Sequence, residues 1–449
     1  MDIEGFNTVR WFEKRSFCYT MSLLNTIRMS TKNGTIFIRL FWVIILSSFI
    51  AWLVGLIINP QGTQLDLFHG RMRDFWGDAT VVTYFVNERN PYQYPGANYP
   101  PLPYLLYYVF ACVSRIPDGG YPQYYYQPLW TMIFVLFLFI VLGMLWLICA
   151  KNTHSGLTID AMMTGLAFCI SGPMLYTIER GNVILVAILC TAIFVFYYNN
   201  KCRWKKEIAL LSLAIAVDIK VAPAVFGALL ICNKDWQAIC RTLLYGILFF
   251  ILPFYFFEGG INNLPLMISH INQFLNHFAY DGVVSGAGIY SVFFQFFEFL
   301  FGDSYRMSDT MYKSLRIVSY EVSFILFLGL FHFKEKWKQV LNLTIIMLIV
   351  PSVAFQYYYL LSIPVTILFL SSFSDNLHEN TNDAVIGKIL IFMSFIMIYF
   401  VYRCPLSDFF NHKFAILILT VTGLFYSIKA FIKSKRILPS DFFSKIRID

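Results

Sequence analysis

QPLWTMIFVLFLFIVLGMLWLICA, residues 127–150, runs through twenty-four residues without a charge. A run of about 18 or more apolar residues is long enough to cross a bilayer as a helix. Working outward, comparable runs lie at about 37–58, 157–176, 182–199, 208–232, 240–257, 315–333, 338–372, 386–402 and 413–431. Strands are excluded as the spanning element, because an open sheet edge leaves backbone groups unsatisfied in lipid. The sequence therefore predicts an all-α polytopic membrane protein. Two runs break. DIKVAP clusters Asp218, Lys220 and Pro223 inside 208–232, and PSVAFQYYYLLSIP interrupts 338–372, so each is expected to form two short helices meeting at a turn.

Composition agrees. Of 449 residues, 58% are hydrophobic and only 13% are charged, where a soluble domain carries roughly 25% charge. The 19% aromatic content suits a helical bundle with interfacial belts. Nine cysteines are scattered, several inside apolar runs (Cys149, Cys169, Cys190), with no CxxC pair and no His/Cys cluster at metal spacing. They read as buried hydrophobes, and no cofactor is expected. The net charge of +8 does not point to nucleic acid, because the basic residues sit in short loops beside apolar runs.

Those loops set the orientation. KCRWKK (201–206), NKDWQAICR (233–241), HFKEKWK (332–338) and IKSKR (432–436) are expected on the cytoplasmic side, with tails 1–36 and 432–449. Segment 37–431 then forms the membrane domain, and loops 60–126 and 258–314 face outside, each with an interfacial helix (PPLPYLLYYVFACV and GIYSVFFQFFEFLF). Nearly every unusual polar motif falls on that outer side.

The first is RMRDFWGDATVVTYFVNERNPYQYPGANYPPLPYLLYY, residues 71–108. Asp74 and Asp78 are four apart, on one face of a helix. They fit either a solvated helix start beside the N-terminal dipole or a general base at the membrane surface. The prolines and tyrosines that follow predict a rigid loop. ERGN supplies Glu179, Arg180 and Asn182 at the outer end of a helix. Lys220 lies within an apolar run, where a cation is costly and either pairs with a carboxylate such as Asp218 or faces a cavity. His270 and His277, seven apart, are a poor metal pair and are candidate acceptor contacts. Gln356, Tyr357, Tyr358 and Tyr359 fit an interfacial belt and a cavity lining equally well.

In order, these motifs resemble the GT-C membrane glycosyltransferases, and among them glycosyltransferase family 87, the polyprenyl-phosphate-mannose-dependent type. The matching residues are Asp74-Phe75, Pro91-Tyr92 seventeen residues after Asp74, Tyr99-Pro100-Pro101-Leu102, Gly181-Asn182, Lys220-Val221-Ala222-Pro223 and Pro351-Ser352…Tyr357-Tyr358…Pro364. The sequence departs from the family pattern where Gln is replaced beside Gly181 and where Tyr or Gln stands for His near 356–358. The resemblance implies a GT-C-like bundle of about 10–13 membrane helices. It implies transfer of mannose or a related sugar from a polyprenyl-phosphate donor to a glycan or glycolipid acceptor, with inversion, at the outer face of a bacterial plasma membrane. Asp74 would be the base and Asp78 secondary. Arg180, Lys220, Glu179, Asn182, Tyr99, Tyr357, Tyr358, His270 and His277 would contact substrate. A lipid-linked-sugar flippase is the competing reading, but such transporters often show internal repeats, and none is visible between the halves.

Overall fold

In the computed structural model, residues 35–59, 76–87, 89–94, 96–113, 127–153, 158–281, 289–302, 307–351, 354–375, 382–401 and 412–436 are described, and among them only helices and turns occur. Five helices are long and apolar enough to cross a membrane: α1 (Thr35–Ile58), α4 (Pro128–Thr153), the continuous stretch Trp236–Phe256, Gln356–Phe373, and His412–Ser434. A sixth is the bent pair α5 (Ile159–Cys169) and α6 (Gly172–Arg180). Shorter apolar helices include α7 (Ile184–Tyr197), most of which is buried. Only 11% of the apolar window of Trp236–Phe256 is buried within the protein and 28% of that of α4, so lipid is left to cover their outer faces.

The breaks follow from local chemistry. Pro173 stands in the first turn of α6 and cannot donate back into α5, so the pair bends by 49°. Thr158 caps α5 by accepting from the Ala161 amide. The two interrupted runs divide as their prolines predict. Helix α8 (Arg203–Ile219) stops at Lys220, and a 3₁₀ turn Ala222–Gly227 carries the chain into α9 (Ala228–Cys232). Likewise α14 (Lys336–Ile349) ends before a 3₁₀ segment Gln356–Ser362, which runs into α15 (Ile363–Asp375).

Helix α7 is the centre of the core. Most of its residues are buried, and α4, α8 and α15 pack around it. The remaining helices are α2 (Gly77–Asn87), α3 (Pro101–Ala111), α10 (Trp236–Ile251), α11 (Leu264–Asp281), α12 (Ile289–Phe301), α13 (Asp309–Leu330), α16 (Asn382–Tyr399) and α17 (His412–Arg436). Close approach of α13, α14 and α17 depends on small and polar residues. The Asn342 amide donates to the Leu326 carbonyl and to Ser427 Oγ, each at 2.8 Å. Such contacts replace the hydrophobic drive that lipid does not supply between helices.

Helix α3 packs on α2, α4 and α8, burying Leu102, Tyr104, Tyr107 and Phe110 against protein. The apolar PPLPYLLYYVFACV stretch therefore packs one face on the bundle and leaves Tyr108 and Val109 exposed on the other.

The two loops expected outside touch each other. Asn90 Nδ2 donates to Asn263 Oδ1 at 3.1 Å, the Glu258 amide donates to the Arg89 carbonyl at 3.1 Å, and Tyr92 stacks on Phe254. Two of the basic loops expected inside, 201–206 and 233–241, are joined at the opposite end of α8, where Lys206 pairs with Asp235 and Arg241 with Glu207.

Candidate active site

The chain enters the site at Trp76, whose backbone is held at φ 54°. That strained conformation is pinned from two sides. The Trp76 amide donates to the Glu179 carbonyl at 2.6 Å, and its indole packs on Trp130 and Phe134. Gly77 follows, and a Cβ there would stand 3.6 Å from the Arg180 guanidinium. The Arg180 guanidinium thus packs directly against the start of α2.

Asp78, in the first turn of α2, takes two hydrogen bonds. Arg180 Nη2 donates to Oδ1 at 2.6 Å, and Asn182 Nδ2 donates to Oδ2 at 2.6 Å. Both donors come from the turn between α6 and α7. Gly181 makes that turn at φ +63°, where a Cβ would meet Ala79 Cβ at 2.9 Å and Phe134 at 3.1 Å. The Gly181 carbonyl accepts from Tyr107 Oη at 2.5 Å. Asn182 is oriented in turn, since its Oδ1 accepts from the Ile184 amide at the start of α7. Its amide nitrogen also reaches Tyr99 Oη at 3.2 Å.

Tyr99 is set by the proline-rich loop. Tyr92 Oη donates to its carbonyl and its own amide donates to Tyr104 Oη, at 3.2 and 3.3 Å. Burial, with the Asp78 charge nearby, pushes the Tyr99 and Tyr107 phenols well above their ordinary range. Both are neutral hydroxyls at physiological pH.

Lys220 completes the group. Its backbone leaves α8 in an extended conformation, and Nζ lies 4.3 Å from the centroid of the Tyr99 ring and 5.7 Å from that of Tyr357. Among the described residues it makes no ion pair with a carboxylate. Asp218 lines instead an apolar cavity of about 670 Å³ between α8, α9 and α10. Tyr357 stacks on Tyr176 and on Tyr358.

Of the residues singled out in the sequence, Asp78, Arg180, Asn182, Tyr99, Lys220 and Tyr357 meet here, with Tyr358 behind Tyr357. Glu179 is buried beside Arg180 and holds Trp76 through its carbonyl. Asp74 and the side chain of His277 lie outside the described residues. His270 is buried on α11, and no hydrogen bond joins it to the Asp78 group. Sequence reading missed Trp76, Tyr107 and Tyr176. Tyr176 stands four residues before Arg180 on one helix, which places the two on one face and was the available signal. Among the described residues no group of three or more His, Cys, Asp or Glu could hold a metal.

This arrangement gathers two cations from different elements, Arg180 and Lys220, among stacked and largely buried tyrosine rings, a setting suited to an anionic group. The model of glycosyltransferase family 87 matches residues 98–351. The chain belongs to glycosyltransferase family 87. It is a membrane glycosyltransferase. No curated protein and no solved structure matches it. The family match contains Tyr99, Arg180, Asn182 and Lys220, whereas Asp74 and Asp78 precede it and Tyr357 and Tyr358 follow it.

Proposed function

We propose that this glycosyltransferase takes its sugar, mannose or a close relative, from a polyprenyl-phosphate donor and passes it with inversion to a glycan or glycolipid acceptor. The reaction would take place at the extracytoplasmic face of a bacterial plasma membrane. The observation that carries the reading is Lys220. A lysine at the tip of an apolar hairpin, resting on tyrosine faces and paired with no described carboxylate, is expensive unless an anion visits it. Arg180 stands in the same group of residues, so a phosphate would meet two cations.

The chemistry needs them. The acceptor oxygen attacks the anomeric carbon on the face opposite the phosphate, and the carbon–oxygen bond to phosphate breaks. The leaving polyprenyl phosphate changes from a diester with one negative charge to a monoester approaching two. Cations held in place beforehand stabilise that growing charge without reorganising. The acceptor hydroxyl must lose a proton, and an aspartate is the group to take it.

Asp78 suits that task poorly, because both of its oxygens already accept strong hydrogen bonds. We assign it to holding Arg180 and Asn182. Asp74, two residues before the tethered Trp76 and matching the family's aspartate-aromatic pair, remains our base. Segment 37–431 would be one membrane domain, with loops 60–126 and 258–314 together on the side of the reaction, and contact between those loops supports this. His270 and His277 remain candidate acceptor contacts.

The test is transfer by the purified protein from a panel of polyprenyl-phosphate sugars, with the anomeric configuration of the product read by NMR. Transfer with inversion from one of them is the expected result. Activity with nucleotide sugars alone, or retention of configuration, would reject the reading.

A further inference from the structure

At the end of α8 opposite Lys220, a cleft of about 770 Å³ opens between the starts of α8 and α10. Helix α8 has 17 residues, so the cleft lies about 25 Å along its axis from the sugar site. Lys201, Arg203, Lys206 and Arg241 line it, with Glu207 and Trp236. Two of these cations are answered within the protein, Lys206 by Asp235 and Arg241 by Glu207. Lys201 and Arg203 are exposed and form no ion pair among the described residues.

Two features show which kind of anion this cleft fits. Trp236 lines it and is 65% exposed, and Trp204, next to Arg203 in the chain, is 79% exposed, far more than water would favour and typical of rings placed at headgroup level. From the cleft, α10 continues as an uncovered apolar strip of Leu243, Leu244, Ile247 and Leu248. A soluble phosphate would use the cations and leave the strip idle. A lipid uses both, with its phosphate against Arg203 and Lys201 and its chains along α10.

We propose that this cleft binds the headgroup of an anionic phospholipid of the phosphatidylglycerol class, drawn from the leaflet opposite the sugar site. The site is separate from the transferase chemistry and stands whether or not the donor assignment holds.

Native mass spectrometry of the full chain in uncharged detergent would measure it, titrating phosphatidylglycerol, phosphatidylcholine and free sn-glycerol 3-phosphate. Wild type should bind phosphatidylglycerol at least about ten-fold more tightly than the other two. K201Q/R203Q should weaken phosphatidylglycerol roughly thirty-fold, about five-fold for each charge, and leave phosphatidylcholine unchanged. If the double variant unfolds in lipid-free detergent, Lys201→Gln alone, outside any helix, should still show the five-fold loss. Lys433→Gln, an exposed charge near the end of α17, should lose nothing. Phosphatidylcholine binding as tightly as phosphatidylglycerol would overturn the proposal, and so would glycerol phosphate doing so, which would mark a site for free anions. An equal loss in Lys433→Gln would overturn it too, as diffuse attraction to a basic face, and so would an unaffected Lys201→Gln.

Discussion

Arg180 donates to Asp78 at 2.6 Å across 102 residues of chain, and the same carboxylate takes its second bond from Asn182. This pairing ties the start of α2 to the turn between α6 and α7. It also leaves Lys220 as the cation of the group that forms no salt bridge among the described residues, the Asp78 charge acting on it only from a longer range.

The two aspartates should separate by what they damage. Asp78→Asn keeps the shape and removes the charge that Arg180 needs. The pair is partly buried, between the small worth of an exposed pair and the several kcal/mol of a fully buried one, so the loss should be about 2 kcal/mol. Melting in detergent should fall along with activity. Asp74→Asn should cost about 10²–10⁴-fold in rate with melting unchanged. An Asp78→Asn protein that melts normally yet is dead, beside a near-normal Asp74→Asn, would exchange the roles.

Lys220→Met keeps the apolar stem and deletes the charge. With no described ion pair to break, the protein should fold as well as wild type or better. Donor affinity and turnover should fall together. A variant that melts early and still binds polyprenyl phosphate would end the phosphate role for this residue.

Gly181→Ala places a Cβ in the left-handed region and against Ala79 and Phe134. The conformation alone costs about 1–2 kcal/mol, and the contacts add to it. Thermal melting should register the loss, and activity should drop because Arg180 and Asn182 flank the turn. A melting temperature equal to wild type would show that the turn accommodates the methyl.

The Tyr99 phenol is raised by burial, while an unfolded chain would ionise it near the ordinary value of 10.0. A group whose folded pKa is raised contributes stability that is complete below the unfolded pKa and lost as pH climbs above it. Melting temperature should therefore decline from about pH 9 to about pH 11, and Tyr99→Phe should make that decline shallower. An identical slope in the variant would mean that Tyr99 titrates freely in the folded protein.

Topology can be read by cysteine labelling in a cysteine-free background. Asn262 is exposed beside the sugar-site loops, and Trp204 is exposed at the other end of α8. Asn262→Cys should react with an impermeant reagent from outside intact cells, and Trp204→Cys only after permeabilisation. Both reacting from the same side would sink the proposed orientation.

The sequence by itself determined the class of this protein. Charge-free runs such as 127–150 are long enough to span lipid, and the DIKVAP and PSVAFQYYYLLSIP stretches mark the breaks in two other runs. It also pointed to Lys220, since a cation amid an apolar run carries a cost that something must offset, to Arg180 and Asn182 at a helix end, and, through the family resemblance, to Tyr99. Their partners were not legible. Whether Lys220 meets Asp218, two residues away, or Tyr99, 121 residues away, depends on the direction in which α8 ends and on what packs against it. The double hold on Asp78 likewise exists only because a left-handed Gly181 brings Arg180 and Asn182 to one carboxylate. Side-chain pairing over such separations is set by how helices pack, and only the tertiary structure decides that.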